Sequence, residues 1–248
     1  MKSLRSVLFA AVVLITVLPV QAAGNLVVDL SKPSIGIATD FIGEDLMIFG
    51  STLGQGEVII VVRGPERAEV VRRKEKFSGI WINKDSVNFR SVPYFYAVAS
   101  TLPLETILPE ETLIEKKIGA KYLEFGLEWD IRRSADMHEF RNALIRNKWR
   151  QGLFSKELAN ITFLGHQLFR IDIHFPSNVI PGTYKIETYL VRDKKIISQK
   201  NKELVIEKVG IESGIYNFAH DKPYYYGIIA VFISAIAGWL VSVFFRKS

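Results

Sequence analysis

Cysteine is absent from the 248-residue sequence. Its absence excludes disulfides, thiol catalysis and thiolate metal sites, and it also excludes a lipid-modified N-terminal cysteine as a membrane anchor. The stability of the fold must therefore come from an ordinary hydrophobic core. Any attachment to a membrane must come from another segment of the chain.

Metal ligands and catalytic motifs are scarce as well. No P-loop, GxGxxG, GxSxG or HExxH pattern occurs. None of the four histidines is paired at the i, i+2 or i, i+4 spacing of local ligands: His138, His166, His174 and His220. The sequence predicts no metal, no cofactor and no enzymatic activity. An enzyme of unknown type is the remaining alternative, because Glu124, Glu128 and Asp130 would share one face of a strand.

The N-terminus has the three-part pattern of a secretory signal. Lys2 and Arg5 precede an uncharged apolar run over residues 7–18, and a proline and small residues follow. The run is shorter than the ~20 residues that a spanning helix needs. We therefore predict a signal peptide over residues 1–22, cleaved after Ala22; cleavage one residue later and a retained anchor are the alternatives.

The C-terminus predicts the membrane anchor. Residues 224–245 carry no charge over 22 positions, and at 1.5 Å per residue they span roughly 33 Å, enough to cross a bilayer core. Arg246 and Lys247 follow, so the positive-inside bias assigns residues 246–248 to a cytoplasmic tail. The export signal agrees with this orientation. We predict a single-pass bacterial inner-membrane protein in which residues 23–221 are periplasmic.

Within the span, small residues recur at every fourth position, at Ala230, Ser234 and Gly238. Such a seam lets a second helix approach closely. The alternative is a plain anchor, because a helix of this length often shows one such match by chance.

The exported part predicts a mainly β fold with a helical insertion. Short runs rich in β-branched and aromatic residues, separated by turn residues, favour an immunoglobulin-like β-sandwich formed by residues 25–67 and 161–210. Residues 68–160 are the predicted insertion, with two helices. Pro109 marks the start of the first and Gly119 its C-terminal cap, and the second lies within residues 136–158. Two separate sandwiches are the alternative.

A basic cluster at the start of the predicted insertion is the main candidate contact site. Arg72, Arg73 and Lys74 lie in a predicted hairpin that reaches Trp81, with Val70 facing inward. The cluster has three interpretations: a solvated β surface or charge-protected edge strand, a surface for anionic lipid or a negatively charged partner, or a small-anion site that includes Trp81. Nucleic acid is excluded as a partner by the predicted compartment. The mature chain would also keep only 30 basic against 26 acidic residues.

An ordered set of motifs covers nearly the whole mature chain: FIGEDLMIFGS, VVRGP, GIWIN, VPYFYAVAS, FRNALIR, LFR, PGTY and a final span ending in FFRK. Together they resemble the uncharacterised alphaproteobacterial family called putative transmembrane protein. The resemblance implies an inner-membrane protein with a periplasmic domain and implies no activity. The resemblance also implies an association with permeases of the sulfite-exporter type, which makes such a permease a candidate partner.

Two functions are consistent with these predictions. The first is a non-enzymatic accessory or interaction subunit of an envelope or transporter complex, bound to a polytopic membrane protein. The second is a periplasmic module that binds or senses a small anion through the basic cluster.

Overall fold

The computed structural model describes residues 26–127, 134–210 and 218–245. The predicted signal peptide over residues 1–22 and the predicted tail over residues 246–248 lie outside these ranges. The strands are β1 (Leu26–Leu30), β2 (Ser34–Ile37), β3 (Gly43–Thr52), β4 (Glu57–Arg63), β5 (Glu66–Phe77), β6 (Ile80–Pro93), β7 (Tyr96–Ser100), β8 (Gly126–Leu127), β9 (Ala159–Asn160), β10 (Thr162–Leu164), β11 (Leu168–Pro176), β12 (Gly182–Arg192) and β13 (Lys195–Lys208). The helices are α1 (Leu104–Ile107), α2 (Glu110–Glu115), a 3₁₀ turn (Ala120–Tyr122), α3 (Ser134–Arg150) and α4 (Pro223–Phe245).

The strands form three sheets. The four-stranded sheet has the order β1-β3-β11-β10, the six-stranded sheet has the order β2-β13-β12-β4-β7-β9, and the hairpin sheet has the order β5-β6-β8. All pairs are antiparallel except β13 with β2 and β7 with β9. The predicted class, mainly β with one C-terminal apolar helix, is confirmed, and the two larger sheets are compatible with an immunoglobulin-like sandwich.

Aromatic rings join the two larger sheets. Phe175 of β11 stacks on Phe95 at 4.8 Å between centroids and meets Tyr184 of β12 edge-on at 5.6 Å. All three are buried. Phe175 and Tyr184 come from the two larger sheets, and Phe95 lies between β6 and β7, so the three rings form part of the core between the sheets.

Strand β4 is buried on both faces, which its uninterrupted apolar run of residues 58–62 permits. Val62 lies opposite Ile186 of β12, whose face carries the sandwich core. Val61 and Arg63 lie on the other face of β4, where Arg63 contacts the helical segment formed by α1, α2 and the 3₁₀ turn. Arg63 donates hydrogen bonds to the carbonyls of Lys116 and Lys117, at 2.9 and 3.1 Å.

Tyr96 of β7 holds the helical segment against the same face. Its hydroxyl donates to the Lys117 carbonyl at 3.0 Å and accepts from the Gly119 amide at 2.8 Å. Burial raises the pKa of Tyr96 to about 12, so the hydroxyl keeps its proton and its donor role well above neutral pH.

The first predicted helix is present, but its cap differs from the prediction. Lys117, not Gly119, has the left-handed conformation that ends α2, with φ of 54°. The Ile118 amide donates to the Leu113 carbonyl and the Lys117 amide to the Ile114 carbonyl, a Schellman arrangement. Ile118 and Leu113 are both buried. Apolar contact across the cap therefore offsets the cost of a non-glycine residue there.

The predicted insertion is not wholly separate from the sandwich. β7 and β9 fall within residues 68–160, yet β7 pairs with β4 and β9 pairs with β7 in the six-stranded sheet. The reason is the apolar composition of β7, where all five residues are buried. Besides the two predicted helices, this range holds α1 and the 3₁₀ turn.

We expect Phe175→Ala to lower the free energy of unfolding by about 3–5 kcal/mol, because it leaves a cavity where two sheets meet. Phe49→Ala is the matched control. Phe49 lies on the neighbouring strand but faces outward, so its loss should cost under about 1 kcal/mol. Urea unfolding of the full-length protein in detergent, followed by near-ultraviolet circular dichroism, measures both. Equal losses would contradict the proposed packing.

Candidate functional site

Strands β5 and β6 form a long hairpin. Ser78 and Gly79 join them with φ of 48° and 88°, both positive, as in a type I′ turn. Among the residues that the structure describes, only the two of β8 pair with the outer side of β6, near the base of the hairpin. The ribbon therefore extends past the rest of its sheet, and every residue from 74 to 86 is exposed.

The base of the hairpin packs under α3. Val71, Val87 and Phe89 are buried on one face of the ribbon, as are Phe140 and Leu144 of the helix. The prediction that Val70 faces inward is wrong, since Val70 is exposed and Val71 is buried. In a strand, a shift of one residue exchanges the two faces, and two adjacent valines give no signal for choosing between them.

Arg73 fixes the helix to the ribbon. Its guanidinium lies 2.7 Å from the Glu139 carboxylate and 3.7 Å from that of Asp85. The same group lies 4.9 Å from the centroid of the Phe140 ring. Arg73 is therefore already engaged by the protein, in contrast to its neighbours in the basic cluster.

A groove of about 220 Å³ lies between β5 and α3. Arg72, Arg73 and Lys74 line it from the strand, and Arg146 and Glu139 line it from the helix. Within the described ranges, no carboxylate lies within ion-pairing distance of Arg72, Lys74 or Arg146. The groove thus brings together three of the four residues predicted to contact a ligand and adds Arg146, whose position on the same groove follows from helix packing.

Trp81 is separate from this groove. It lies near the end of the hairpin opposite Lys76, and most of its side chain is exposed. A strand rises about 3.4 Å per residue, so the position of Trp81 along the ribbon is far from that of Arg72. The structure therefore divides the predicted site into a basic groove at the base and an apolar end.

Lys148 is a buried cation that sequence analysis missed. Its side chain is only 3% exposed, and its ammonium lies 2.5 Å from the Glu69 carboxylate and 4.4 Å from the centroid of the Tyr94 ring. The helical spacing could have indicated its burial, because Lys148 lies eight residues after Phe140 and four after Leu144, on the same buried face of α3. Position alone could not show that a carboxylate on β5 would meet it.

The predicted seam lies on one side of α4. Ala230, Ser234 and Gly238 are exposed, and the Ser234 hydroxyl donates to the Ala230 carbonyl at 2.8 Å. The hydroxyl is thus satisfied within the helix and does not require a partner. Among the described residues, this is the one helix that is long and apolar enough to cross a membrane.

The remaining candidates do not converge. Glu124 pairs with Lys117 at 3.2 Å, whereas Glu128 and Asp130 lie outside the described residues. His174 lies 2.6 Å from Asp45 on the outer face of the four-stranded sheet. Within the described ranges, no three histidine or acidic side chains are grouped as a metal site would need.

The family model described as Putative transmembrane protein (Alph_Pro_TM) matches residues 25–247. The chain belongs to this family. The match includes both the β domain and α4. A comparison with curated proteins gives no significant match.

Removal of the Glu69 charge should destabilise the protein by about 2 kcal/mol or more, because Glu69→Gln leaves the Lys148 ammonium buried without its carboxylate. Glu139→Gln is the control. Its partner Arg73 is partly solvated, so that change should cost under about 1 kcal/mol. Chemical unfolding of the full-length protein measures both variants. Lys148→Met combined with Glu69→Gln should recover most of the loss; failure to recover would contradict the buried pair.

Proposed function

We propose that this Alph_Pro_TM protein is a non-enzymatic, single-pass inner-membrane subunit that binds a polytopic membrane protein, such as a transporter. The observation that carries the proposal is α4, whose described side chains are exposed around the whole helix. Such a surface needs lipid or another helix around it. One helix encloses no pathway of its own, so any transport function requires a partner.

The orientation in this proposal rests on the two ends of the chain. The basic and apolar pattern of residues 1–22 supports export, and Arg246 and Lys247 support a cytoplasmic C-terminus. The β domain would then lie in the periplasm. A permease of the sulfite-exporter type is the candidate partner that the family resemblance implies.

The seam on α4 is the surface we assign to this partner. Small side chains at Ala230, Ser234 and Gly238 allow backbone-to-backbone approach, and dispersion contacts rather than the hydrophobic effect would hold the helices together. Residues on the opposite side, Phe232 and Ile236, are bulky and would face lipid.

Recovery of a polytopic membrane protein with the tagged full-length chain, after solubilisation in mild detergent, is the expected result. Gly238→Ile should reduce that recovery on the order of tenfold, the factor that about 1.4 kcal/mol of lost packing produces. Ile236→Phe, which adds bulk on the opposite side, should leave it unchanged. Quantitative mass spectrometry of the recovered material is the measurement. Recovery of the chain alone under conditions that preserve other membrane complexes would contradict the proposal.

The groove between β5 and α3 favours a second candidate function, binding of a small anion. Arg72, Lys74 and Arg146 have no carboxylate partner among the described residues, and they surround a volume that an oxyanion would fit. Arginine side chains are well suited to bind such oxygens.

Thermal unfolding of the full-length protein in detergent should test this function. If the groove binds an anion, millimolar sulfite, sulfate, thiosulfate or phosphate will raise the midpoint, because a ligand that binds the folded state stabilises it. Arg146→Gln should remove the shift, whereas Lys194→Gln, in the distant β12–β13 turn, should keep it. The absence of a shift with all four ions would count against anion binding and would leave the partner proposal unaffected.

A further inference from the structure

The end of the β5–β6 hairpin exposes an unusual amount of apolar surface. We define the hairpin tip as residues 74–84. Within it, Phe77, Ile80 and Trp81 are each 65–69% exposed, and Ile82 is also exposed. Full burial of one such side chain is favourable by about 1.5–3 kcal/mol, so leaving it exposed to water gives up that free energy. The tip therefore needs a medium or partner that removes this surface from water.

These side chains lie on both faces of the ribbon. Phe77 pairs with Ile80 and Glu75 pairs with Ile82, so the two isoleucines and the phenylalanine share one face. Trp81 pairs with Lys76 and lies on the other face. A folded protein surface would cover one face of a ribbon well, whereas the interfacial region of a bilayer surrounds an inserted tip on all sides.

Basic side chains follow immediately behind the apolar end. Arg72, Lys74 and Lys76 share the face of Trp81, and none has a carboxylate within ion-pairing distance among the described residues. Lys84 pairs with Glu75 at 2.5 Å, so the only acidic side chain of the tip is already neutralised. Apolar residues at the end and free cations behind them are complementary to a surface of anionic headgroups.

The chain itself keeps the domain near a bilayer. Fourteen residues, 209–222, separate β13 from α4. Residues 218–221 among them are helical, so the segment spans at most about 42 Å. The 12-residue strand β5 is about 40 Å long. A domain held within this distance of the membrane presents the hairpin tip at a high effective concentration near the lipid.

The base of the hairpin is fixed to the core. The Gly64 amide donates to the Phe95 carbonyl and the Tyr94 amide to the Pro65 carbonyl, both at 2.8 Å. These bonds join the β4–β7 ladder to the β5–β6 ladder. A contact made at the tip would therefore orient the whole domain.

We propose that the hairpin tip inserts into the headgroup region of a bilayer that contains anionic phospholipid, with Phe77, Ile80 and Trp81 in the interface. Lys74 and Lys76 contact the headgroup phosphates. This contact is a second attachment to the membrane, separate from α4 and independent of the partner proposed for the seam.

The absence of cysteine allows one environment-sensitive fluorophore to be placed at a single introduced thiol in the full-length chain. Ser78→Cys places it in the turn of the tip. Asp193→Cys is the matched control, since it lies in the β12–β13 turn with φ of 51°, close to the 48° of Ser78. Both proteins are reconstituted without any other protein into phosphatidylethanolamine vesicles with or without phosphatidylglycerol.

We expect the label at position 78, and not at position 193, to shift its emission to the blue and to be quenched by nitroxide lipids. Quenching should increase with phosphatidylglycerol and decrease with salt, which screens the lysines. Phe77→Ser, Ile80→Ser and Trp81→Ser combined should abolish the shift. Lys74→Gln with Lys76→Gln should remove the dependence on phosphatidylglycerol. Near-ultraviolet circular dichroism confirms that each variant is folded.

Two results would overturn the proposal. The first is a label at position 78 that remains in water in both vesicle types, or that behaves as the control does. The second is a label that is exposed in these vesicles but shielded in native membranes, which would assign the hairpin tip to a protein partner.

Discussion

The double burial of β4 is the constraint on which the architecture depends. Its residues 58–62 are fully buried, with the sandwich core on one face and the helical segment on the other. A strand in this position must be apolar at every residue and must have its backbone groups paired on both sides, which β12 and β7 provide. The chain then continues through Gly64 into the hairpin. A side chain at Gly64 would meet the Phe95 amide and the Tyr184 ring at 2.9 Å, so the path is narrow there.

This continuity explains why the hairpin differs in composition from the strands around it. Near its base, the ribbon lies against α3 and buries Val71, Phe89 and the Lys148 ammonium, which pairs with the half-buried Glu69. Farther along, nothing in the described part of the chain covers it, and the residues become charged or remain apolar without being buried. Charge on an exposed ribbon protects its edges from pairing with another chain. The apolar end is not explained by that protection, because it increases the risk of association.

The sequence was sufficient to predict the long strands and the helices α2, α3 and α4, because the β-branched runs and the helical apolar patterns are local signals. It did not predict α1 or the two- and three-residue strands β8, β9 and β10, which are too short to carry such a pattern. The sequence could not assign β7 to the six-stranded sheet, because the residues of a short apolar strand do not indicate which strands it pairs with. Which of Val70 and Val71 faces inward was ambiguous for a different reason, since two adjacent valines give no local signal for choosing between the faces. Arg72 and Lys74 were recognised as a cluster, but Arg146 joins them through helix packing 70 or more residues away along the chain.

A single span constrains where a domain lies but by itself does not determine the rotation of the domain about the membrane normal or its tilt. Insertion of the hairpin tip, as proposed above, would restrict both the rotation and the tilt. The hairpin is joined to β4 by backbone hydrogen bonds, so it would move together with the core. The surfaces of the two larger sheets and the basic groove would then face fixed directions relative to the bilayer. If the protein binds the membrane-embedded partner proposed above, this preorganisation would lower the entropy lost on binding and so favour the complex without any additional contact.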